Sequence, residues 1–567
     1  MAPYALHRAV KNGDLHCVNE ILNESANIAL INEADRKGWT PLMYAIDSPE
    51  AGTEVLHTLV QRGALIDQAS VTCALSELPK LTALIEMGAD VLYRDEHGYD
   101  ALIHAAYGRN VRHNTQLLDI LRMLIEKGVS LRGMTTYSES AVRVLSRIGR
   151  FDAVRFLLKS GANPDDVKLT PLIEAVACGS IADVTAIVEN GAQLEERDYW
   201  ERTAWLFAIQ TGDLAKATYL LEHDADRKAC GRCRKPPLFY AIESGHIPML
   251  KWLIEIGADI EQTDQFGHTA LRTAVEYCSD ESVDVLLQAA AKVNHESDTG
   301  PALAYANSRA VALKLMDAGA DPQYLTNHGV RAILGLPVEP DLDLLEVSLD
   351  EFELHRSRVF GKQNPEAMNN PFWEGMIRAG VSAYQPGQMF EVGNKFDEQY
   401  NPIWCAQRFG QSITLLPDGR IVQVAGEHED YYDPDFCIYN DVFVHLHDGS
   451  IAIYGYPESV FPPTDFHTAT LVGDHIYLIG SLGYLNTRSY CDTPVYRLDT
   501  STFQIEPLET EGAKPGWIYK HRADLSAAQE ICITGGKILT VINGEETHTD
   551  NQRSFILDIE HRTWRTE

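Results

Sequence analysis

The chain has 567 residues, too many for one hydrophobic core, so several domains or a repeat array are expected. Its formal net charge of −33 argues against general binding to nucleic acid or to an anionic membrane, both of which need basic surface. No apolar run approaches the roughly 20 residues of a spanning helix, residues 1–8 lack a signal-peptide layout, and ten scattered cysteines form no disulfide framework, so a soluble cytoplasmic protein is expected.

Residues 1–34 read as a terminal capping unit, with short helices at Ala5–Val10 and Val18–Leu22 around Gly13-Asp14. A full repeat then opens at Asp35, carries Gly38 and Thr40-Pro41-Leu42, and closes at Gly63-Ala64. Thr40 can cap the helix through its hydroxyl, and Pro41 suits the first helical position. The next closing marks are Gly88-Ala89, Gly128-Val129, Gly161-Ala162 and Gly191-Ala192, at spacings of 25, 40, 33 and 30. The short interval, about eight residues under the period, predicts a shortened hairpin, because Val71–Leu75 has no preceding D-x-x-G. The long one predicts an extended loop between helices near Gly108–Asn114. From Gly191 the marks fall every 33 residues, at Gly191-Ala192, Asp224-Ala225, Gly257-Ala258 and Ala290-Ala291. Gly319-Ala320 closes one more unit, and Val330–Leu336 begins a truncated cap.

Within this ruler, Leu250, Leu253 and Ile254 give the i, i+3, i+4 stripe of a second helix. Gly267-His268-Thr269-Ala270-Leu271 stands where a G-x-T-P-L helix start would be. The pattern resembles the ankyrin repeat, a β-turn and two helices that bury their apolar faces by stacking into a solenoid. That resemblance implies an α-solenoid over residues 1–336 that binds a protein through its hairpin tips and the exposed face of each first helix. The positions it would turn to the partner hold Trp39, Tyr44, Tyr99, His104, Tyr107, Tyr199, Trp200, Phe207, Tyr240, Phe266 and His268. Aromatics supply large rigid contact area, as interface hot spots require. The alternative is that several pack sideways against adjacent repeats.

Cys230-Gly231-Arg232-Cys233 is a lone C-x-x-C at a hairpin tip. A zinc site needs two more ligands, and a redox motif needs a βαβ setting; neither is present. Arg227, Lys228, Arg232, Arg234 and Lys235 form a basic island around it, suited to an acidic partner or to the chain's own acidic region.

Residues 337–400 read as a connector, acidic at Glu339–Asp343 and partly helical to Gly380, with Asn369-Asn370-Pro371-Phe372-Trp373 matching no known module. Over 401–567 the periodicity turns to β, with short runs such as Ile421–Val424, Val442–Val444, Ile451–Tyr454 and Ile476–Ile479. Gln411, His467 and His521 mark three starts, 56 and then 54 residues apart. Each is followed by a strand ending in a small or Gly pair and by a strand with an acidic end. This resembles the kelch blade of about 50 residues. The fold class expected is therefore multidomain α + β, a solenoid followed by a mostly-β, kelch-like partial propeller of about three blades. Closed propellers take 4–8, so strand edges need cover, and Gln388–Val392 offers one strand. The connector, the solenoid, or pairing into a homodimer could supply the rest.

Glu427, His428, Asp430, Asp465, His467 and His521 are the polar residues that blade-starting loops could gather at one end. Carboxylates with histidines could hold a divalent metal or act as an acid–base pair, but no ligand spacing matches a metal motif, and an acidic solvated rim is the commoner reading. Serine-triad and phosphate-loop signatures are missing. The sequence points to a non-catalytic adaptor with no cofactor, binding protein partners. An enzyme or a ligand-binding domain in the β region is the rival reading.

Overall fold

The computed structural model describes residues 5–35, 38–295, 300–337, 339–390, 402–430, 433–446, 448–526 and 529–567. It divides into two compact units, residues 1–266 and 267–567.

The first unit is a row of short helix pairs. Pro41–Asp47 starts where Thr40 accepts a hydrogen bond from the Met43 amide at 3.3 Å, and Leu42, Ala45 and Ile46 face Val55, Leu56 and Leu59 of Thr53–Gln61 in the core. The same cap recurs at Thr170 and Thr203, and at Thr269 in the second unit. After most second helices the chain turns through a left-handed residue, for example Gly63 and Gly257. Asp224 and Ala290 stand at that place with φ of 68° and 61°, a conformation side chains adopt only at a cost. The short interval goes further than a shortened hairpin: only Leu65, Ile66 and Asp67 lie between Ala64 and Gln68–Ala74, which Asp67 caps directly. The surplus near 108–114 forms turns between Ala101–Ala106 and Leu117–Glu126.

The second unit starts with the remaining helix pairs, ending in the short helix Asn327–Ile333. One departure from the pattern is Ala302–Tyr305, a single 3-10 turn where a first helix is expected. The connector then forms Leu349–His355, Pro371–Ala379 and Tyr384–Met389. Gln388 and Met389 are thus helical rather than strand, and Glu391 and Val392 lie outside the described residues. Asn369–Trp373, unplaced from sequence, is an anchor: Trp373 stacks on Trp404 at 4.7 Å and 5°, in a core with Phe352, Phe372, Tyr439 and Phe443. Arg331 ties the last repeat to this core. Its guanidinium donates to the carbonyls of Pro337 (2.6 Å), Ile377 (2.9 Å) and Arg378 (2.8 Å), closing the carboxyl end of Pro371–Ala379.

The β region comprises β1 (Glu366–Ala367), β2 (Ser412–Leu415), β3 (Ile421–Asp430), β4 (Asp433–His445), β5 (Ile451–Gly455), β6 (Thr468–Val472), β7 (His475–Ile479), β8 (Val495–Asp499) and β9 (Ile505–Pro507). It continues with β10 (Glu511–Gly512), β11 (Trp517–Tyr519), β12 (Arg522–Leu525), β13 (Glu530–Thr534), β14 (Lys537–Ile542), β15 (Glu545–Asp550), β16 (Phe555–Asp558) and β17 (Thr563–Thr566). Among the described residues they form four sheets, arranged like a four-blade propeller: β1-β5-β4-β3-β2, β6-β7-β8-β9, β10-β17-β16-β13-β12 and the smaller β11-β14-β15. The first three sheets fall on the three repeats read from the sequence, and the connector contributes β1 to the first. Their innermost strands β2, β6 and β12 are neighbours. Each is entered through a left-handed residue at the same place, Gly410, Phe466 or Lys520. The single turn Pro322–Tyr324 of the last repeat packs on β2, while Asp321 and the Tyr324 ring lie 3.8 Å and 5.9 Å from the guanidinium of Arg522 on β12.

Candidate functional site

The residues expected to face a partner fall into three groups. Trp39 and Tyr44 are half-buried, 5.3 Å apart, with the Tyr44 hydroxyl donating to Asp35 at 2.6 Å. Tyr99 and His104 pair at 5.2 Å, and burial lowers the His104 pKa despite Asp95 at 3.9 Å. Tyr107 is exposed and donates to Glu139; burial, then that carboxylate, raises its hydroxyl pKa to about 12.

The densest group lies on the hairpin carrying Tyr199 and Trp200, whose rings meet edge-on at 5.2 Å. Arg143 sits 4.0 Å over Tyr199, and Arg232 reaches both rings at 4.6 and 4.9 Å. Arg147 continues the series, 5.4 Å from Trp200 and 5.7 Å from Tyr107. The indole N–H of Trp200 donates to the Arg143 carbonyl at 3.2 Å, fixing the ring. Alternating guanidinium and aromatic groups thus make a ladder across several repeats. Each guanidinium is also held by hydrogen bonds within the chain: Arg143 donates to the Asp166 carbonyl at 2.8 Å, Arg147 to Glu139 at 3.0 Å and the Tyr107 hydroxyl at 3.1 Å, and Arg232 to the Tyr199 carbonyl at 2.6 Å, which makes the ladder rigid. A search for aromatics alone misses Arg143 and Arg147; the basic island held the signal for Arg232.

Two expected positions do not present a ring to solvent. Phe207 is 0 % exposed, packed 5.0 Å from Phe151 with the Arg202 guanidinium 4.1 Å over it. Tyr240 is 3 % exposed, and burial pushes its pKa well up. The reason is shared: Ala204–Gln210 and Pro237–Ile242 are buried on every side, so their helices have no open face there. Phe266 is 55 % exposed, and His268 is half-buried. Cys230 and Cys233 are unbridged; burial raises the Cys230 pKa, which disfavours the thiolate a metal would need.

In the β region the polar residues divide rather than converge. Glu427 of β3 is hydrogen-bonded to Asp465, and burial, then the Asp465 charge, raises its pKa to about 7. Asp465 is fully buried and accepts from the Gly483 amide at 2.6 Å and the Ser481 hydroxyl at 3.2 Å. His428, the next residue on β3, points to the other face and meets the Gln407 carbonyl at 2.8 Å. His467 and His521 link neighbouring blades: the His467 ring bonds the Ser412 hydroxyl at 2.8 Å, and the His521 ring the Thr468 hydroxyl at 2.9 Å. The side chain of Asp430 lies outside the described residues. Among the described residues no group of three or more His, Cys, Asp or Glu could hold a metal ion.

These histidines make acid sensitivity an expected property. Burial depresses His467 to about 4 and His445 and His521 to about 3, whereas an unfolded histidine takes its proton near 6.5. Below pH 6.5 the unfolded chain therefore binds protons that the folded chain refuses, and stability falls as pH drops toward 4. Glu427 has the opposite sign, losing stability as pH rises from its unfolded value near 4.5 through about 7. Asp465, whose pKa burial also raises, acts in the same direction as Glu427, so three histidines against two carboxylates leave a net loss on acidification. Thermal unfolding followed from pH 7.5 to 4.5 should show a falling midpoint, which His467→Gln with His521→Gln flattens; an unchanged slope in that variant contradicts the assignment.

A family model for ankyrin repeats matches residues 2–70, 172–264, 205–297 and 238–325. The matched ranges skip 71–171, where the repeat lacking a hairpin and the extended loop lie. A search of curated proteins finds no match. No helix among the described residues is long and apolar enough to cross a membrane. Helix pairs, capped first helices, closing turns spaced by 33 residues from Gly191 to Ala290 and the family match agree: the amino-terminal region consists of ankyrin repeats, followed by a β-rich module arranged like a four-blade propeller.

Proposed function

We propose that the protein is a non-catalytic, cytoplasmic adaptor whose ankyrin repeats, residues 1–336, hold one protein while its kelch-like module, residues 401–567, holds another. The observation that carries this reading is the guanidinium–aromatic ladder of Tyr107, Arg147, Trp200, Arg232 and Tyr199 on the hairpin face. Arg and Trp are the residue types that dominate interface hot spots, and here their side chains are held in place before a partner arrives. Trp39, Tyr44, Tyr99, His104 and Phe266 extend the surface along the same row of hairpins. The turn Pro322–Tyr324 against β2 and beside Arg522 favours a monomer over pairing through the module. Partners captured by the full chain and identified by mass spectrometry should bind Trp200→Ala/Arg232→Ala about 100-fold more weakly, since two hot-spot truncations cost roughly 3 kcal/mol. The melting temperature should move little. Undiminished binding sinks the reading. The rival, a ligand site in the β module, rests on the Glu427–Asp465 pair, and Glu427→Gln should leave partner capture unchanged if the adaptor reading holds.

A further inference from the structure

Among the described residues, a cavity of about 270 Å³ lies in the first unit between the hairpin that carries the basic island and the helix Ile247–Glu255 with its following loop. Leu238, Leu253 and Ile256 make its apolar wall together with Trp205. Arg227 and Lys228 line it as well and are solvent-exposed. Asp259 and Gln262 complete the polar part, but Oδ1 of Asp259 already accepts from the Glu261 amide at 3.0 Å, and the Gln262 amide donates to Cys230 Sγ at 3.4 Å.

Two things about this cavity are unexplained by the fold. Trp205 follows Thr203-Ala204, the place where the other first helices carry Leu42, Leu102, Leu172, Leu238 and Leu271. It is 1 % exposed, and its indole Nε1 has no hydrogen-bond acceptor, whereas a leucine would bury no polar atom at all. A buried donor without a partner is costly, and such sites are commonly completed by a ligand or an ordered water. Second, Arg227 and Lys228 form no ion pair with a carboxylate among the described residues, although the chain carries 81 acidic residues against 48 basic ones. An apolar wall, one unsatisfied N–H and two unpaired cations describe a receptor for an anion with an apolar body.

We propose that this cavity binds a carboxylate carried on a short apolar group, such as a free aliphatic acid or the carboxyl-terminal residue of a peptide. Leu238, Leu253 and Ile256 take the apolar part; the Trp205 N–H, Arg227 and Lys228 are the donors for the carboxylate. The volume suits a short chain and excludes a long lipid. The site is separate from the ladder and does not depend on the adaptor reading.

Calorimetric titration of the full-length protein tests it, using hexanoate, hexanol and hexylamine as probes that share one tail and differ in charge. Hexanoate should bind saturably, and the other two at least tenfold more weakly. Arg227→Gln/Lys228→Gln should weaken hexanoate at least tenfold, as should Trp205→Leu, which restores the residue of the other repeats. Trp200→Ala/Arg232→Ala should leave it unchanged, so failure here and failure of the adaptor reading are distinguishable. A tripeptide ending in leucine distinguishes the sources: tighter binding than hexanoate, lost on amidation, assigns a peptide terminus, and the reverse assigns a free acid. Equal binding of all three six-carbon probes, or hexanoate binding that survives Arg227→Gln/Lys228→Gln, overturns the proposal.

Discussion

Arg331→Ala should lower the stability of the second unit by about 3–5 kcal/mol, the range for stripping a buried, hydrogen-bonded charge from its partners. Arg331 is 5 % exposed and donates to three backbone carbonyls, two of them at the carboxyl end of Pro371–Ala379. A cation at that end also offsets the negative pole of the helix dipole. Removing the side chain leaves three carbonyls short of a donor and a void beside Gly380, where even a Cβ would lie 2.0 Å from the Arg331 guanidinium. Pro371–Ala379 carries Trp373, the partner of Trp404, so the loss should spread from the last repeat into the first sheet of the β module. Chemical denaturation followed by tryptophan fluorescence checks this; Arg331→Lys should recover only part of the loss, because one ammonium cannot reach all three carbonyls. A variant within 1 kcal/mol of the parent would show that the repeat and the connector are held together by other contacts.

The repeats were legible in the sequence because the signal is local. Thr–Pro–Leu starts, a closing Gly and a 3.6-residue stripe each act within a few residues of themselves, and the 33-residue spacing repeats them. A shortening before Gln68 was legible for the same reason, though not that Asp67 would cap the next helix directly. The role of Asn369–Trp373 was not, since stacking of Trp373 on Trp404 spans 31 positions and belongs to no repeat. At the candidate interface the aromatic positions of Tyr199 and Trp200 could be read, but not the arginines between them, because Arg143 and Arg232 come from other repeats. Phe207 and Tyr240 were misplaced by pattern: a position that faces outward in an average repeat is covered here by Arg202 and Lys235, whose charged groups lie 4.1 and 4.6 Å over the two rings.

Asp198→Ala should both destabilise the ankyrin region by about 3–5 kcal/mol and abolish partner binding through the ladder. Asp198 and Arg202 form an ion pair of 2.5 Å with side chains 0 % and 1 % exposed. The guanidinium also donates to the Ser146 carbonyl and hydroxyl, both at 2.7 Å, and to Gln210 at 2.6 Å, so it ties the hairpin to a neighbouring repeat. The other carboxylate oxygen accepts from the amides of Trp200 (3.0 Å) and Arg202 (2.8 Å), which shapes the turn that presents Tyr199 and Trp200. Asp198→Ala leaves a buried guanidinium without its counter-charge and frees the turn at once. Pairing it with Arg202→Leu removes the stranded charge, so much of the stability should return, since replacing both members of a buried pair is cheaper than removing one. Partner binding should not return with it, because the turn still lacks the carboxylate that holds the Trp200 amide. Thermal unfolding and affinity measured on both variants separate the two roles. Recovery of binding along with stability in the double variant would mean that the ladder is held by the Arg143 and Arg232 stacking alone.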